Sequence, residues 1–154
     1  MSFEDIFPRG VKVALGQLTY TPADIIRFAT AFDPQVFHLD AEKAQASLFG
    51  GLCASGWHTT AGWMKCYVRF CQDEARRLAA EGRALPRMGP SPGFKDLKWL
   101  KPVYAGDTIT FYLTAHDPEP QTRPDRRIAC GIGSGENQNG EEVMRFENRV
   151  IEFM

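Results

Sequence analysis

In the stretch FDPQVFHLDAEKAQASLFGGLCASG, residues 32–56, Asp33 is followed five positions later by His38, and then by a glycine-bearing turn that opens a long helical pattern. A carboxylate and an imidazole can move protons near neutral pH, and free amides at a helix start can hold a developing oxyanion. Acid–base enzymology beside a polarised carbonyl is therefore the leading chemistry. Each residue alone has a plainer reading. An Asp before Pro34 can be only a turn former, because Asp readily bonds its own backbone, and a lone His38 fits a satisfied core position. Ser55 reads as a helix cap rather than a nucleophile, since no G-x-S-x-G elbow surrounds it. His58 either lines the site or packs and caps.

These side chains must be positioned by the elements around them. Val11, Val13 and Leu15 alternate with polar or small residues and predict a short first strand. Thr21-Pro22 then starts a helix: Thr caps, Pro suits the first helical position, and Asp24 stands in for the acid of a capping box. Pro34 disfavours helical geometry at Asp33, so this helix ends beside the carboxylate. Asp40 caps a short helical piece over Ala41 to Ser47. From Ser55 to about Gly82 the apolar residues Trp57, Ala61, Met64, Tyr67, Val68, Cys71, Ala75 and Leu78 recur at helical steps, with a buried first half and a charged, solvent-reaching second half. Leu85 to Gly93 is an irregular, Pro-rich connection. Strands follow over Phe94 to Leu100, around Ile109 to Leu113, around Ile128 to Ile132 and over Val143 to Phe153, with an exposed loop around HDPEPQTRPDRR and a two-residue hairpin at Asn139-Gly140. An antiparallel sheet with one apolar face needs a cover, and the long helix is the element able to supply it. The fold class is α+β: one domain over 1–154, a sheet curled around a central helix.

Composition narrows the functions. The 154 residues are 44% hydrophobic with a net charge of -1, enough for one sizeable core and without the basic footprint of nucleic-acid or anionic-membrane binding. Acids at Glu4 and Asp5 and the lack of a long apolar run argue against a secretory leader or a membrane span, so the chain reads as cytoplasmic. Cys53, Cys66, Cys71 and Cys130 have no metal-ligand spacing and read as buried thiols, so no metal is expected. Trp57, Trp63 and Trp99 read as core. Lys95, Lys98 and Lys101 read as a solvated strand face more than as phosphate contacts, since their spacing misses the strand period.

The motifs FDPQVFHLDAEKA, FGGLCASGWHTTA and DLKWLKPVYAGDTIT resemble the MaoC-like dehydratase family of hot-dog-fold proteins, which includes the R-specific enoyl-CoA hydratases; the similarity spans about residues 10 to 154. The resemblance implies a hot-dog fold, an obligate dimer with sheets joined edge to edge, and an acyl-CoA site at the subunit interface. It places Asp33 and His38 in the catalytic pair and Gly56 at the amide that contacts the thioester oxygen. Three departures bear on the substrate: Gln35 stands where the family usually has Asn, Ser55 precedes the glycine, and Trp57 and His58 are bulkier than the usual neighbours.

Water addition to a 2-enoyl thioester needs a base, a proton donor for the α carbon and donors for the enolate-like oxygen. Asp33 and His38 can reach one water, with the division of labour between them open and the pair able to titrate together. Gly56 lies where unpaired N–H groups and the positive helix end favour negative charge, and glycine permits close approach of the thioester. Ser55, Trp57 and His58 complete the expected substrate-binding set. No cofactor is called for beyond the coenzyme A carried by the substrate itself. Two alternatives compete: a hot-dog thioesterase, against which Ser55 to Tyr67 offers no Asp or Glu, and a non-catalytic acyl-CoA-binding module, which needs the pocket without the pair. A free sheet edge also predicts a homodimer, with higher assembly left open.

Overall fold

A computed structural model describes residues 1–154. The N-terminal turn α1 (Phe3–Ile6) and strand β1 (Lys12–Thr19) lead into helix α2 (Pro22–Phe32), the single turns α3 (Val36–Leu39) and α4 (Ala41–Gln45), and the long α5 (Gly56–Ala80). The strands β2 (Arg87–Met88), β3 (Lys95–Trp99), β4 (Thr108–His116), β5 (Arg126–Glu136) and β6 (Glu142–Phe153) complete the chain. The sheet runs β1-β4-β5-β6, with β2 and β3 both on the far side of β6 and every pairing antiparallel. This is the hot-dog arrangement: α5 lies in the concave face of a curled sheet, burying Thr59, Gly62, Trp63 and Cys66.

The curl depends on close contact between helix and sheet. Gly133 on β5 lies against Phe146 and Trp63, and a Cβ there would strike both rings. The β1–β4 register slips between Ala14 and Gly16, and opposite that bulge the Trp63 indole N–H donates to the Tyr112 carbonyl at 2.9 Å. The core extends from Phe3 and Phe7 through Ile109, Phe111 and Leu113 to Val150. Beyond Gln72, α5 carries the ion pairs Asp73–Arg76, Glu74–Arg77 and Arg77–Glu81 on its solvent side, while Leu78 turns inward and is buried.

Local chemistry shapes α2 as the sequence suggested. The Thr21 hydroxyl accepts from the Asp24 amide at 3.2 Å, Pro22 occupies the first turn, and Asp33 is the last residue tied to the helix, its N–H donating to the Ala29 carbonyl at 2.9 Å. Four details differ. The turns α1 and α3 are too short to leave a periodic signal, and β2 forms inside the Pro-rich connection by pairing with Glu152 and Phe153. The Asn139-Gly140 hairpin is not a two-residue turn: Asn137 N–H bonds the Glu141 carbonyl, Gly140 alone takes positive φ (75°), and the Asn137 side chain accepts from the Asn139 and Glu141 amides. Of the tryptophans assigned to the core, only Trp63 is there; Trp57 and Trp99 are about half exposed. No helix is long and apolar enough to cross a membrane.

Candidate active site

The break at Pro34 folds the chain back on itself. Gln35 N–H donates to the Asp33 carbonyl at 2.8 Å, and one residue later α3 begins, with His38 N–H bonded to the Gln35 carbonyl at 2.9 Å. The reversal brings the two side chains together: His38 Nε2 lies 3.4 Å from Asp33 Oδ2. The other nitrogen, Nδ1, lies 2.6 Å from the Cys53 carbonyl. A carbonyl only accepts, so Nδ1 carries a proton, and in the neutral form of the ring the lone pair lies on Nε2, facing the carboxylate.

Asp33 is similarly restrained. Gln35 Nε2 donates to Oδ1 at 2.7 Å, leaving Oδ2 as the oxygen that faces His38. Burial opposes its charge, but the hydrogen bond from Gln35, the neighbouring Ser55 hydroxyl and the His38 ring together hold the carboxyl below its ordinary pKa. Ser55 occupies the N-cap position of α5, yet its hydroxyl caps nothing. It is fully buried with no hydrogen-bond partner in normal geometry, close enough to Asp33 to favour the charged form.

Both side chains open into a cavity of about 500 Å³ whose buried floor includes Thr59, Val103 and Val143 and whose exposed rim includes Trp99, Leu100 and Lys101. Gly56 lines it too. The Gly56 and Trp57 amides have no backbone acceptor, so the positive end of the 25-residue α5 carries free donors beside the Asp33–His38 pair. Cys53 lines the wall, and burial pushes its thiol up to about 11, which keeps it protonated rather than nucleophilic. Lys101 at the rim is ion-paired with Glu141.

Three of the expected substrate-binding residues do not line the cavity: Ser55 is buried beside Asp33, and two others lie elsewhere. Trp57 does not line the cavity; its ring stands edge-on to Trp99, centroids 5.1 Å apart. His58 points to the other side of α5, stacked on Phe28 at 4.6 Å, beside a separate hollow with Tyr20, Asp24, Arg27 and Lys65. Successive helical residues are turned by about 100°, so residues 56, 57 and 58 face three directions. Burial lowers the His58 pKa, and its Nδ1 has no partner. Trp99, Gln35 and the Cys53 carbonyl are cavity components that residue spacing does not disclose. Gln35 stands out in the sequence only as a departure from the family pattern, and a backbone carbonyl leaves no trace in residue type.

A sequence profile described as the MaoC like domain matches residues 9–128. The MaoC-like dehydratase from Rhodospirillum rubrum is 35% identical, with a TM-score of 0.79 over 99% of this chain and 97% of that one. YdeM, an uncharacterised protein of Bacillus subtilis (strain 168), is 30% identical over 147 residues, 96% of each chain. The R-hydratase PhaJ1 of Pseudomonas aeruginosa, at 20% identity and a TM-score of 0.62 over 95% of this chain and 82% of that one, shares the fold.

Proposed function

The chain belongs to the MaoC-like domain family, and from that premise we propose that it is a hydro-lyase adding water reversibly across the double bond of a 2-enoyl-CoA thioester. The observation that carries this reading is the facing pair of acceptors, His38 Nε2 and Asp33 Oδ2, 3.4 Å apart beside the free Gly56 amide. With the His38 ring neutral both atoms are acceptors, and a water held beside them can supply one hydrogen to each.

In the hydration direction, Nε2 takes a proton from that water as its oxygen bonds the β carbon. The π electrons move toward the thioester oxygen, where the Gly56 N–H and the helix end stabilise the enolate. Asp33 stays ionised, pairs with the imidazolium and orients it. The Nε2 proton then passes to the α carbon, restoring both catalytic groups. Dehydration is the same path reversed. Coenzyme A enters only as part of the substrate. The α5 residues lining the cavity, Gly56 and Thr59, include no carboxylate, which favours water addition over thioester hydrolysis.

The site is completed in a homodimer. Trp57, Met64 and Val68 are exposed apolar residues on one face of α5, Trp57 meets Trp99 of β3, and β3 pairs only with β6, which leaves an open edge suited to a second copy pairing edge to edge. Initial-rate hydration of crotonyl-CoA tests the activity, with loss of the conjugated enoyl thioester as the expected signal. Release of free thiol without that loss favours hydrolysis, and thioester binding with neither reaction leaves a binding module. Sedimentation velocity tests the dimer; a monomer at micromolar concentration removes it.

A further inference from the structure

We propose that Trp99 is a substrate-contacting residue that sets which acyl group enters, admitting 2-enoyl thioesters with an unsubstituted α carbon and turning away those branched there; the inference rests on the hydration reading above. Gly56 has no positive φ, so its backbone does not call for glycine. The indole does. A Cβ at position 56 would fall on the fused bond of the Trp99 ring, so the ring lies face-on against the Gly56 Cα.

That contact fixes the ring close to the reacting atoms. A thioester oxygen accepting from the Gly56 amide sits about 2.9 Å from a nitrogen bonded, at about 1.5 Å, to the carbon that the indole covers. The α carbon is two bonds from that oxygen. The buried floor at Thr59, Val103 and Val143 receives the chain beyond the β carbon, while the coenzyme leaves by the rim at Trp99 and Leu100. In the s-cis conformer of an enoyl thioester, an α substituent lies on the sulfur side, toward that rim. An added methyl needs about 3.5–4.0 Å to the ring, and the ring is not free to yield. Its Nε1–H donates to Thr60 Oγ1 at 3.1 Å, the Thr60 hydroxyl donates to the Gly56 carbonyl at 3.0 Å, and Trp57 backs it edge-on. The two tryptophans therefore have separate roles. Trp99 touches substrate, and Trp57 acts through it as a positioning residue.

The test compares kcat/KM for crotonyl-CoA and 2-methylcrotonyl-CoA in the wild type, Trp99→Leu and Thr60→Val. The wild type is expected to prefer the unbranched thioester by about tenfold or more, the range that one methyl commands in an apolar pocket. Trp99→Leu should shift that ratio toward the branched substrate by about tenfold. Thr60→Val, which keeps side-chain shape and removes the indole's acceptor, should shift it less in the same direction, and it decides the matter should Trp99→Leu fail to fold. An unchanged ratio in a variant that still hydrates crotonyl-CoA, or a wild type indifferent to the methyl, overturns the inference alone. A wild type that hydrates neither thioester removes the hydration reading and this inference with it.

Discussion

Replacing Asp33 with Asn exchanges an acceptor for a donor at the one place where the proposed chemistry needs two acceptors. Gln35 dictates how the new amide sits. Its Nε2 donates to Oδ1 at 2.7 Å, so the asparagine must keep its oxygen there, and its NH2 then occupies the Oδ2 position, 3.4 Å from His38 Nε2. The amide can close on that nitrogen and occupy the lone pair that would take the proton of water. The substitution also removes the anion beside the imidazolium, an interaction worth about 4 kcal/mol at 4 Å and an effective dielectric of ~20. Together these put the loss at about 10²- to 10⁴-fold in kcat, or roughly 3–5 kcal/mol of barrier. Folding should suffer little: the fold favours the charged carboxylate, so the neutral amide gives up that preference, but it keeps Gln35 and His38 bonded. Crotonyl-CoA hydration rates alongside thermal melting check both halves. A folded Asp33→Asn enzyme within about threefold of the wild type would refute the reasoning, since a group able only to donate at that position would then be compatible with catalysis.

Gly56→Ala should expel the Trp99 ring, surrendering on the order of 100 Å² of contact, about 2–3 kcal/mol at ~25 cal/mol/Å², of which the helix preference of alanine returns up to about 1 kcal/mol; the net ~1–3 kcal/mol lowers Tm by roughly 2–12 °C, and a melting curve that does not move counts against the packing described. Gln35→Leu removes a hydrogen bond that favours the charged form of Asp33, so the carboxyl pKa rises and any acid limb of kcat/KM set by Asp33 moves to higher pH, as a pH–rate profile would register. Burial pushes the Cys53 and Cys71 thiols up to about 11, and the Tyr20 and Tyr67 phenols also upward. For raised groups the stabilisation is complete below the unfolded-state pKa and is lost as pH climbs through the folded one, so Tm should fall between about pH 9 and 11. Cys53→Ala and Cys71→Ala should flatten that fall.

What the sequence made legible was local in origin. Thr21, Pro22 and Pro34 bracket α2 through hydrogen bonds and steric restrictions reaching only a few residues, so the carboxylate's place at a broken helix end could be read from the chain alone. The spacing of Trp57, Ala61, Met64, Tyr67, Val68, Cys71, Ala75 and Leu78 likewise marked α5 as a helix but not its buried face: Trp57, Ala61, Met64 and Val68 are exposed, and Thr59, Gly62, Trp63 and Cys66 are the residues that pack in the first half. That Asp33 and His38 could converge was also legible, because five residues that are not extended keep their ends within reach; that they do face each other depends on the reversal at Gln35, whose N–H bonds the Asp33 carbonyl. The choice among neighbours at the start of α5 was not legible in the same way. Ser55, Gly56, Trp57 and His58 are consecutive, but their directions depend on which part of the helix the sheet covers, and that is settled by contacts far along the chain.

Gly56 shows why this limit has a physical basis. Read alone, a glycine at a helix start suggests space for a ligand. In the fold that space is already filled on one side by Trp99, a residue on the edge strand β3 that composition assigned to the core. In the proposed reaction the same glycine therefore has two neighbours to satisfy, the indole against its Cα and a thioester at its amide, and the geometry that presents the amide would also bring the indole beside the substrate. Residue types suggested the proposed proton-transfer chemistry because Asp and His bring that capacity wherever they are placed. Selectivity is a property of distances between surfaces, so the proposal for Trp99 could be argued only once β3 was seen to close over the end of α5. A change at Thr60, which touches neither Asp33 nor His38, is therefore expected to alter which thioester reacts more than how water is activated.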